Sequence, residues 1–215
     1  MKDFMTSLSL SETTAQRILA SCIEEIRAFG VDRVTVVSVA RRAAMTHANV
    51  YRHFETKEAL FDAITLSWLK GLETRLAEIV DAPDPARDKL ERLIFALLRA
   101  YRDRLDDEPR LFELFIDAFN ENRASARHHR ARVRILIDRV LEEGQNGGAF
   151  VPVSREKALA FVLDALYRFL TPGVLRLDGR DVGSVEVPRM IRGWMPFNGL
   201  DVGCDNGAPV SPSYS

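Results

Sequence analysis

A stretch of sixteen residues, MTHANVYRHFETKEAL, gathers side chains whose types and order suit contact with DNA. Asn49 carries the paired donor and acceptor that match adenine, and His47 can donate a hydrogen bond to guanine. Ala48 is small enough to let a helix approach the groove and to contact a thymine methyl group. Tyr51 presents a hydroxyl suited to phosphate, a contact that positions a protein without reading sequence. The pattern therefore predicts base and backbone contacts, and no spacing in the chain indicates a Ser/His/Asp or Cys/His catalytic set.

The charge distribution supports this interpretation. Residues 33–57 hold five Lys or Arg residues against Glu55 alone, in a chain whose formal net charge is -1. A locally positive window on an otherwise acidic chain is what attraction to phosphate requires. Lys57 stands in the first turn of a predicted helix, where the helix dipole disfavours a cation. Together with the free amides of that helix start, Lys57 predicts a phosphate site.

Helices must position these residues, because apolar side chains recur every three or four residues along most of the chain. Two short helices joined by Ala44-Met45-Thr46 match a helix-turn-helix, whose second helix reads the major groove. Thr56 caps a long helix that joins this unit to a helical body without a flexible linker. The predicted helices are one that ends at Gly30, followed by 36–43, 47–53, 57–80, 86–105, 109–122, 124–146, 154–170 and 188–195. No segment predicts a strand, so the expected fold class is all-α.

The sequence divides into three expected regions. They are a helix-turn-helix DNA-binding domain over 11–56, a helical effector-binding and dimerisation domain over 57–196, and a disordered tail over 197–215 that is rich in Gly, Pro, Ser and Asn. Two cysteines are too few for a disulfide framework, which favours a reducing cytoplasm. No apolar run approaches the length of a membrane span, so we expect a cytoplasmic protein without membrane attachment.

Residues 13–60 resemble the N-terminal DNA-binding domain of the TetR family of bacterial transcriptional regulators. The resemblance rests on Phe29-Gly30 at the end of the first helix and on the spacing Tyr-x-His-Phe-x-x-Lys-x-x-Leu that begins at Tyr51. His47 stands where lysine, arginine or a small residue is commoner in this family. Ala44 stands where the family usually has glycine, and because alanine tolerates many turn conformations we expect little consequence. The predicted DNA-contacting residues are Thr35, Thr46, His47, Ala48, Asn49, Tyr51, His53 and Lys57.

The resemblance also implies a function. It implies a homodimeric repressor that binds a pseudo-palindromic double-stranded DNA operator and is released by a small apolar or aromatic effector, with no enzymatic activity, cofactor or metal. Part of the helical body would enclose the effector, although core packing is the simpler role for most of its rings. The last two helices of such proteins form a dimeric bundle, which predicts Phe169 at the subunit interface. The candidate effector-binding residues are Trp68, Phe95, Tyr101, Phe112, Phe115, Phe119 and Phe161.

Other interpretations of these patterns compete with the functional ones. The chain could be an all-helical small-molecule carrier or enzyme whose N-terminal unit is only structural, and salt-dependent DNA binding would separate the two classes. His47 and His53, taken alone, are typical of solvated helix residues. His128-His129 lacks metal-ligand spacing and has arginine neighbours, which predicts a solvated basic face. Gly144 and the glycines after it predict a helix end.

Overall fold

The described residues of the computed structural model, 13–150 and 153–178, are almost entirely helical and contain no strand. The all-α prediction is therefore confirmed for this part of the chain. The predicted helix at 188–195 and the predicted tail at 197–215 lie outside the described residues. A single 3-10 turn, Val31–Arg33, follows the first helix. The helices are α1 (Thr14–Phe29), α2 (Val36–Arg42), α3 (His47–His53), α4 (Lys57–Asp81), α5 (Ala86–Asp107), α6 (Pro109–Asn120), α7 (Ala124–Asn146), α8 (Arg155–Leu170) and α9 (Pro172–Asp178).

Threonine side chains start all four of the first α-helices. The hydroxyl of each N-cap accepts a hydrogen bond from the backbone amide three residues later, which satisfies one of the amides left free at a helix start. In α1 and α2 the third helical residue bonds back to the cap, so both begin with a complete capping box. The four N-caps are Thr13, Thr35, Thr46 and Thr56. These local signals explain why the sequence predicts the starts of α2, α3 and α4 so closely.

Two hydrophobic cores meet within α4. The N-terminal core includes Ile18, Val39 and Val50, and it extends through Ile64 of α4. The core of the body begins on the same helix at Leu69. Leu111 and Leu114 of α6 also pack into the N-terminal core. The predicted domain division before residue 57 stays a prediction, but α4 and α6 both tie the N-terminal unit to the body.

The C-terminal helices differ from the sequence-based expectation in two ways. The sequence predicts no helix between 154–170 and 188–195, but Pro172 stands at the first position of α9, where its missing amide costs no helix bond. The segment Arg155–Leu177 is also long and apolar enough by composition to cross a membrane, so the expectation that no run has that length is wrong. In the structure this segment is interrupted at Thr171 between the two helices. Its residues Leu159, Val162, Leu166, Phe169 and Leu175 pack into the core of the body.

Helix α7 ends where the glycine cluster predicts, with Gly147 as its C-cap, but Gly144 itself lies within the helix. The helix continues to Asn146, and Gly144 is buried inside it. A Cβ atom at this position would overlap the ring of Phe150, which folds back over the helix. The glycine is therefore required for the close approach of Phe150 to the α7 backbone.

Candidate nucleic-acid interface and effector cavity

Helix α3 presents nearly all of its surface to solvent. Its single buried residue is Val50, which anchors the helix on the N-terminal core. The side chain of Asn49 is partly buried, and its Nδ2 lies 3.8 Å from Sδ of Met45. The predicted contact residues Thr35, Thr46, His47, Ala48, Tyr51 and His53 are all exposed. The structure thus brings these predicted residues together around one projecting helix, and their contact with DNA stays a prediction.

The turn before α3 contains a strained residue. Ala44 has a φ of 54°, in the left-handed region that favours glycine. The Met45 amide donates to the Ala40 carbonyl at 3.0 Å and the Ala44 amide to the Arg41 carbonyl at 3.2 Å. These two bonds form a Schellman motif, in which the left-handed position is usually glycine. Ala44 therefore adopts the conformation that the family's usual glycine favours, and its Cβ makes this conformation less favourable.

Two arginine contacts fix α2 and its turn against α1. Nη2 of Arg17 donates to the Ala43 carbonyl at 3.1 Å, so it caps the end of α2. Nε of Arg42 donates to Oε1 of Glu25 at 2.5 Å, and the Glu25 side chain is almost fully buried. The hydrogen bond from Arg42 holds the pKa of Glu25 below its usual value. Cys22 lies at 0% exposure in the same core, and burial raises the pKa of its thiol to about 12. These contacts hold α2, which precedes the turn to α3, against α1, and Cys22 stays a neutral, unreactive thiol.

Lys57 is half-buried at the start of α4. Its Nζ lies 5.0 Å from the centroid of the Phe61 ring, so the ammonium group has a cation–π partner in its own domain. This contact holds the side chain beside the helix start and leaves part of it open to solvent. Thr35 is the N-cap of α2, whereas Lys57 is the first helical residue of α4. Contact of these two residues with phosphate stays a prediction.

The body contains a half-open cavity of about 460 Å³ between α5, α6, α7 and α8. This volume falls within the range of small-molecule sites, which is roughly 300–1,000 Å³. Its walls are mostly apolar, and its two charged residues, Arg130 and Arg134, both lie on α7. The lining residues are Leu97, Tyr101, Phe119, Asn120, His129, Arg130, Ala131, Val133, Arg134, Leu163, Tyr167, Leu170 and Thr171.

Only part of the predicted effector-binding set lines this cavity. Tyr101 and Phe119 do. Trp68, Phe112 and Phe115 form an aromatic cluster behind Tyr101, in which the rings of Trp68 and Phe115 are 5.0 Å apart. The remaining two predicted residues are Phe95, which packs against the core of the body, and Phe161, whose side chain is 50% exposed on α8.

A buried chain of hydrogen bonds links the cavity to α4. The Tyr101 hydroxyl lies 2.7 Å from Nε2 of His129, and Nδ1 of His129 lies 2.8 Å from Oε1 of Glu73. Because the Glu73 carboxylate can only accept, Nδ1 carries the proton, and in the neutral ring Nε2 accepts from Tyr101. Burial raises the pKa of Tyr101, so its hydroxyl stays protonated. The prediction of a solvated His129 is wrong, because α7 turns this residue inward to 1% exposure. The neighbouring His128 is exposed, as predicted.

A periodic signal in the sequence identifies His129 as an inward-facing residue. It continues the buried stripe of α7 that includes Ala126, Val133 and Ile137, at intervals of three and four residues. The surrounding arginines mask this stripe when the segment is judged by composition. Within residues 13–150 and 153–178, no group of three or more His, Cys, Asp or Glu residues could hold a metal ion.

Two family profiles match this chain, one near its N-terminus and one in the helical body. Residues 18–64 match the family profile of bacterial regulatory proteins of the tetR family, and residues 86–181 match a tetracyclin repressor-like C-terminal domain. The HTH-type transcriptional regulator YhgD of Bacillus subtilis is 26% identical over 158 residues, covering 70% of this chain and 78% of YhgD. The HTH-type transcriptional repressor KstR2 of Mycolicibacterium smegmatis is 26% identical over 148 residues, covering 66% of each chain. The fatty acid degradation regulator FadR of Bacillus halodurans has the same fold, with a TM-score of 0.63 at 17% identity over 86% of this chain and 97% of FadR.

Proposed function

The chain belongs to the TetR family and is a ligand-responsive DNA-binding transcriptional regulator, and we propose that it is a repressor released from a pseudo-palindromic operator by a small effector. Two of the relatives it matches, YhgD and KstR2, are HTH-type transcriptional regulators. Such a protein acts on the chromosome, so the cytoplasm is the expected compartment. The observation that carries the proposal is the uninterrupted helix α4, which begins beside the exposed helix α3 and ends in the body.

The proposed DNA contact divides into reading and positioning. Helix α3 enters the major groove with Thr46, His47, Ala48 and Asn49 towards the bases, because the first residues of a recognition helix reach furthest into the groove. The remaining predicted contact residues, Thr35, Tyr51, His53 and Lys57, bind the phosphates on either side of the groove. A helix of seven residues anchored by one buried side chain, Val50, leaves its other faces available for this docking.

A homodimer supplies the two reading helices that a two-fold operator needs. Apolar side chains remain exposed on the C-terminal helices, which supports an interface there. Phe161 and Tyr167 of α8 are 50% and 68% exposed, and Leu177 of α9 is 85% exposed. Phe169, which the sequence predicted at this interface, is instead only 8% exposed and packs in the core of its own subunit. Phe161 is therefore the better marker of the proposed interface.

The proposed effector site is the cavity of the body, and α4 is the proposed coupling element. An effector that fills the cavity touches Tyr101 and His129, and His129 is bonded to Glu73 in the middle of α4. At about 1.5 Å per residue, the 25 residues of α4 span roughly 37 Å. A small displacement at Glu73 therefore moves the Lys57 end of the helix and the reading helix beside it. Two reading helices must stay about 34 Å apart to dock together, so such a movement releases DNA.

Operator binding by Lys57 and Asn49 variants tests the proposed DNA contacts. DNA from upstream of the protein's own gene serves as the probe, and binding is followed by fluorescence anisotropy over a range of salt concentrations. Lys57→Ala should weaken binding to all sequences alike and lower the salt slope by about one unit per subunit contact. Lys70→Ala, which removes the same charge from an exposed position on the same helix, should change neither.

Asn49→Ala should act differently, because a base contact discriminates between sequences. We expect a loss of about 1–3 kcal/mol that is confined to one base position in each half-site. An equal loss across all operator variants would remove Asn49 from the reading surface. If the wild-type protein shows no salt-dependent binding to any upstream DNA, the proposed function is wrong.

A further inference from the structure

The charged residues that line the effector cavity are both positive. Arg130 and Arg134 lie on its rim, and none of its lining residues is Asp or Glu. Many other arginines of the body pair with carboxylates, as Arg139 does with Asp81 and Arg176 with Glu113. The two rim arginines do not, since within the described ranges no carboxylate forms an ion pair with either. In the part of the chain that the structure describes, the rim therefore carries two arginines that form no ion pair.

The two guanidinium groups are held in different ways. The guanidinium of Arg130 donates to the side-chain oxygen of Asn122 and lies 5.0 Å from the centroid of the Phe119 ring. Stacking and a neutral acceptor fix its plane and leave its charge in place. Arg134 follows one helical turn later on α7 and is exposed. A guanidinium that is held in place and an exposed one on the same rim can both donate hydrogen bonds to one planar anion.

The opposite end of the cavity is apolar. The polar atoms of Tyr101 and His129 at its floor already bond to each other and to Glu73. Between the floor and the rim, the walls are formed by Leu97, Val133, Leu163 and Leu170. A ligand that matches this gradient has an apolar body directed at the floor and an anionic group at the rim. A neutral ligand would form no ion pair with the rim arginines, and a cation would be repelled by them.

We propose that the cavity binds an organic acid with an apolar body, whose carboxylate is held by Arg130 and Arg134. The apolar body packs against the leucine-lined walls and ends against Tyr101 and His129, from which the hydrogen bonds to α4 begin. This inference rests on the proposed function, because it names the chemical class of the effector for that same site. The expected effectors are thereby restricted from apolar or aromatic molecules in general to apolar or aromatic carboxylic acids.

Matched acid and alcohol probes test the proposal. The probes are decanoate against 1-decanol and 4-phenylbutyrate against 4-phenylbutan-1-ol, so that each pair differs only in the head group. Binding to the full-length dimer is measured by isothermal titration calorimetry at neutral pH. Because a hydrogen bond to a charged group is worth more than one to a neutral group, at least one acid should bind about tenfold or more tightly than its alcohol.

Arginine variants locate the charge that is responsible. Arg134→Gln should lower the affinity for that acid by about tenfold and leave the affinity for the alcohol unchanged. Arg132→Gln is the control, since it removes the same charge from the same helix at a residue that lines the groove between α4 and α7 instead. Equal binding of acid and alcohol, an equal effect of the Arg132 and Arg134 variants, or no binding of any probe would overturn the proposal.

Operator binding without any probe keeps this test separate from the proposed function. The wild-type protein and the Arg132→Gln control, whose changed residue lies outside the effector cavity, should both bind the operator when no probe is present. If operator binding is intact and no acid binds, only the ligand class is wrong. If the wild-type protein binds no operator, the proposed function is wrong, whatever the probes do.

Discussion

The turn between α2 and α3 provides a sharp test of the N-terminal structure. Ala44 has a φ of 54°, and a left-handed conformation costs an L-residue roughly 1–2 kcal/mol relative to glycine. Replacement by glycine also makes the unfolded chain more flexible, at a cost of about 0.4–1 kcal/mol. Ala44→Gly should therefore stabilise the protein by about 0.5–1 kcal/mol. For a chain of this length, that corresponds to a rise of roughly 1–4 °C in the unfolding temperature.

The neighbouring alanine is a control with the opposite sign. Ala43 has a φ of -75° and ψ of 0°, which suits alanine, and its methyl group is 5% exposed. Ala43→Gly loses that buried methyl and the same chain entropy, so we expect a destabilisation of about 1–2 kcal/mol. Thermal unfolding followed by circular dichroism measures both variants. If Ala44→Gly lowers the unfolding temperature as Ala43→Gly does, the left-handed turn and the argument from it are wrong.

Three further predictions follow from packing, charge and the exposed apolar surface. Gly144→Ala should lower the free energy of unfolding by about 1–3 kcal/mol, because its Cβ meets Phe150. Gly71→Ala, whose Cβ has no neighbour closer than 4.0 Å, should raise it by up to about 1 kcal/mol. Equal effects of the two variants in chemical denaturation would contradict the packing. Glu25→Gln should be less stable than the wild type at neutral pH. Because Arg42 lowers the pKa of Glu25, this difference in stability should be lost as the pH falls below about 4. A difference in stability that persists in acid would show that the ion pair is not its cause. Phe161→Glu should give folded monomers in light scattering. Phe169→Ala should instead lower the unfolding temperature and leave a dimer. A dimeric Phe161→Glu protein would place the interface elsewhere.

The sequence predicts the helices well because their ends carry local signals. Thr35, Thr46 and Thr56 are N-caps in the structure, and the predicted bounds of α3 and α7 match the observed ones. The short helix α9 was missed because Pro172 and Gly173 follow α8 directly and are typical of a helix end. A proline at the first helical position is equally favourable, and only the path of the chain decides between the two.

The features that depend on contacts between helices were less predictable. The burial of His129 follows from which face of α7 meets α4 and α5, and its arginine neighbours conceal that face in the sequence. The sequence predicts Phe161 in the effector site and Phe169 at the subunit interface, whereas in the structure Phe161 is half-exposed and Phe169 is buried. The two could not be told apart in the sequence because α8 is apolar on more than one face. Gly144 signals a helix end by residue type, whereas its role comes from Phe150, six residues later. The left-handed conformation of Ala44 is indicated only by the glycine that the family usually has at this position, not by the alanine itself.

The coupling between the cavity and the operator is the central claim, and reciprocal binding tests it most directly. Trp194→Phe leaves Trp68 as the only tryptophan, with its ring 6.2 Å from that of Tyr101 at the cavity floor. The fluorescence of this variant reports binding of an acid that the calorimetry identifies, titrated with and without saturating operator. We expect the operator to weaken acid binding, typically by about 5–150-fold, and the acid to weaken operator binding by the same factor. Equal affinity for the acid in both conditions would contradict the account, however tightly the acid binds.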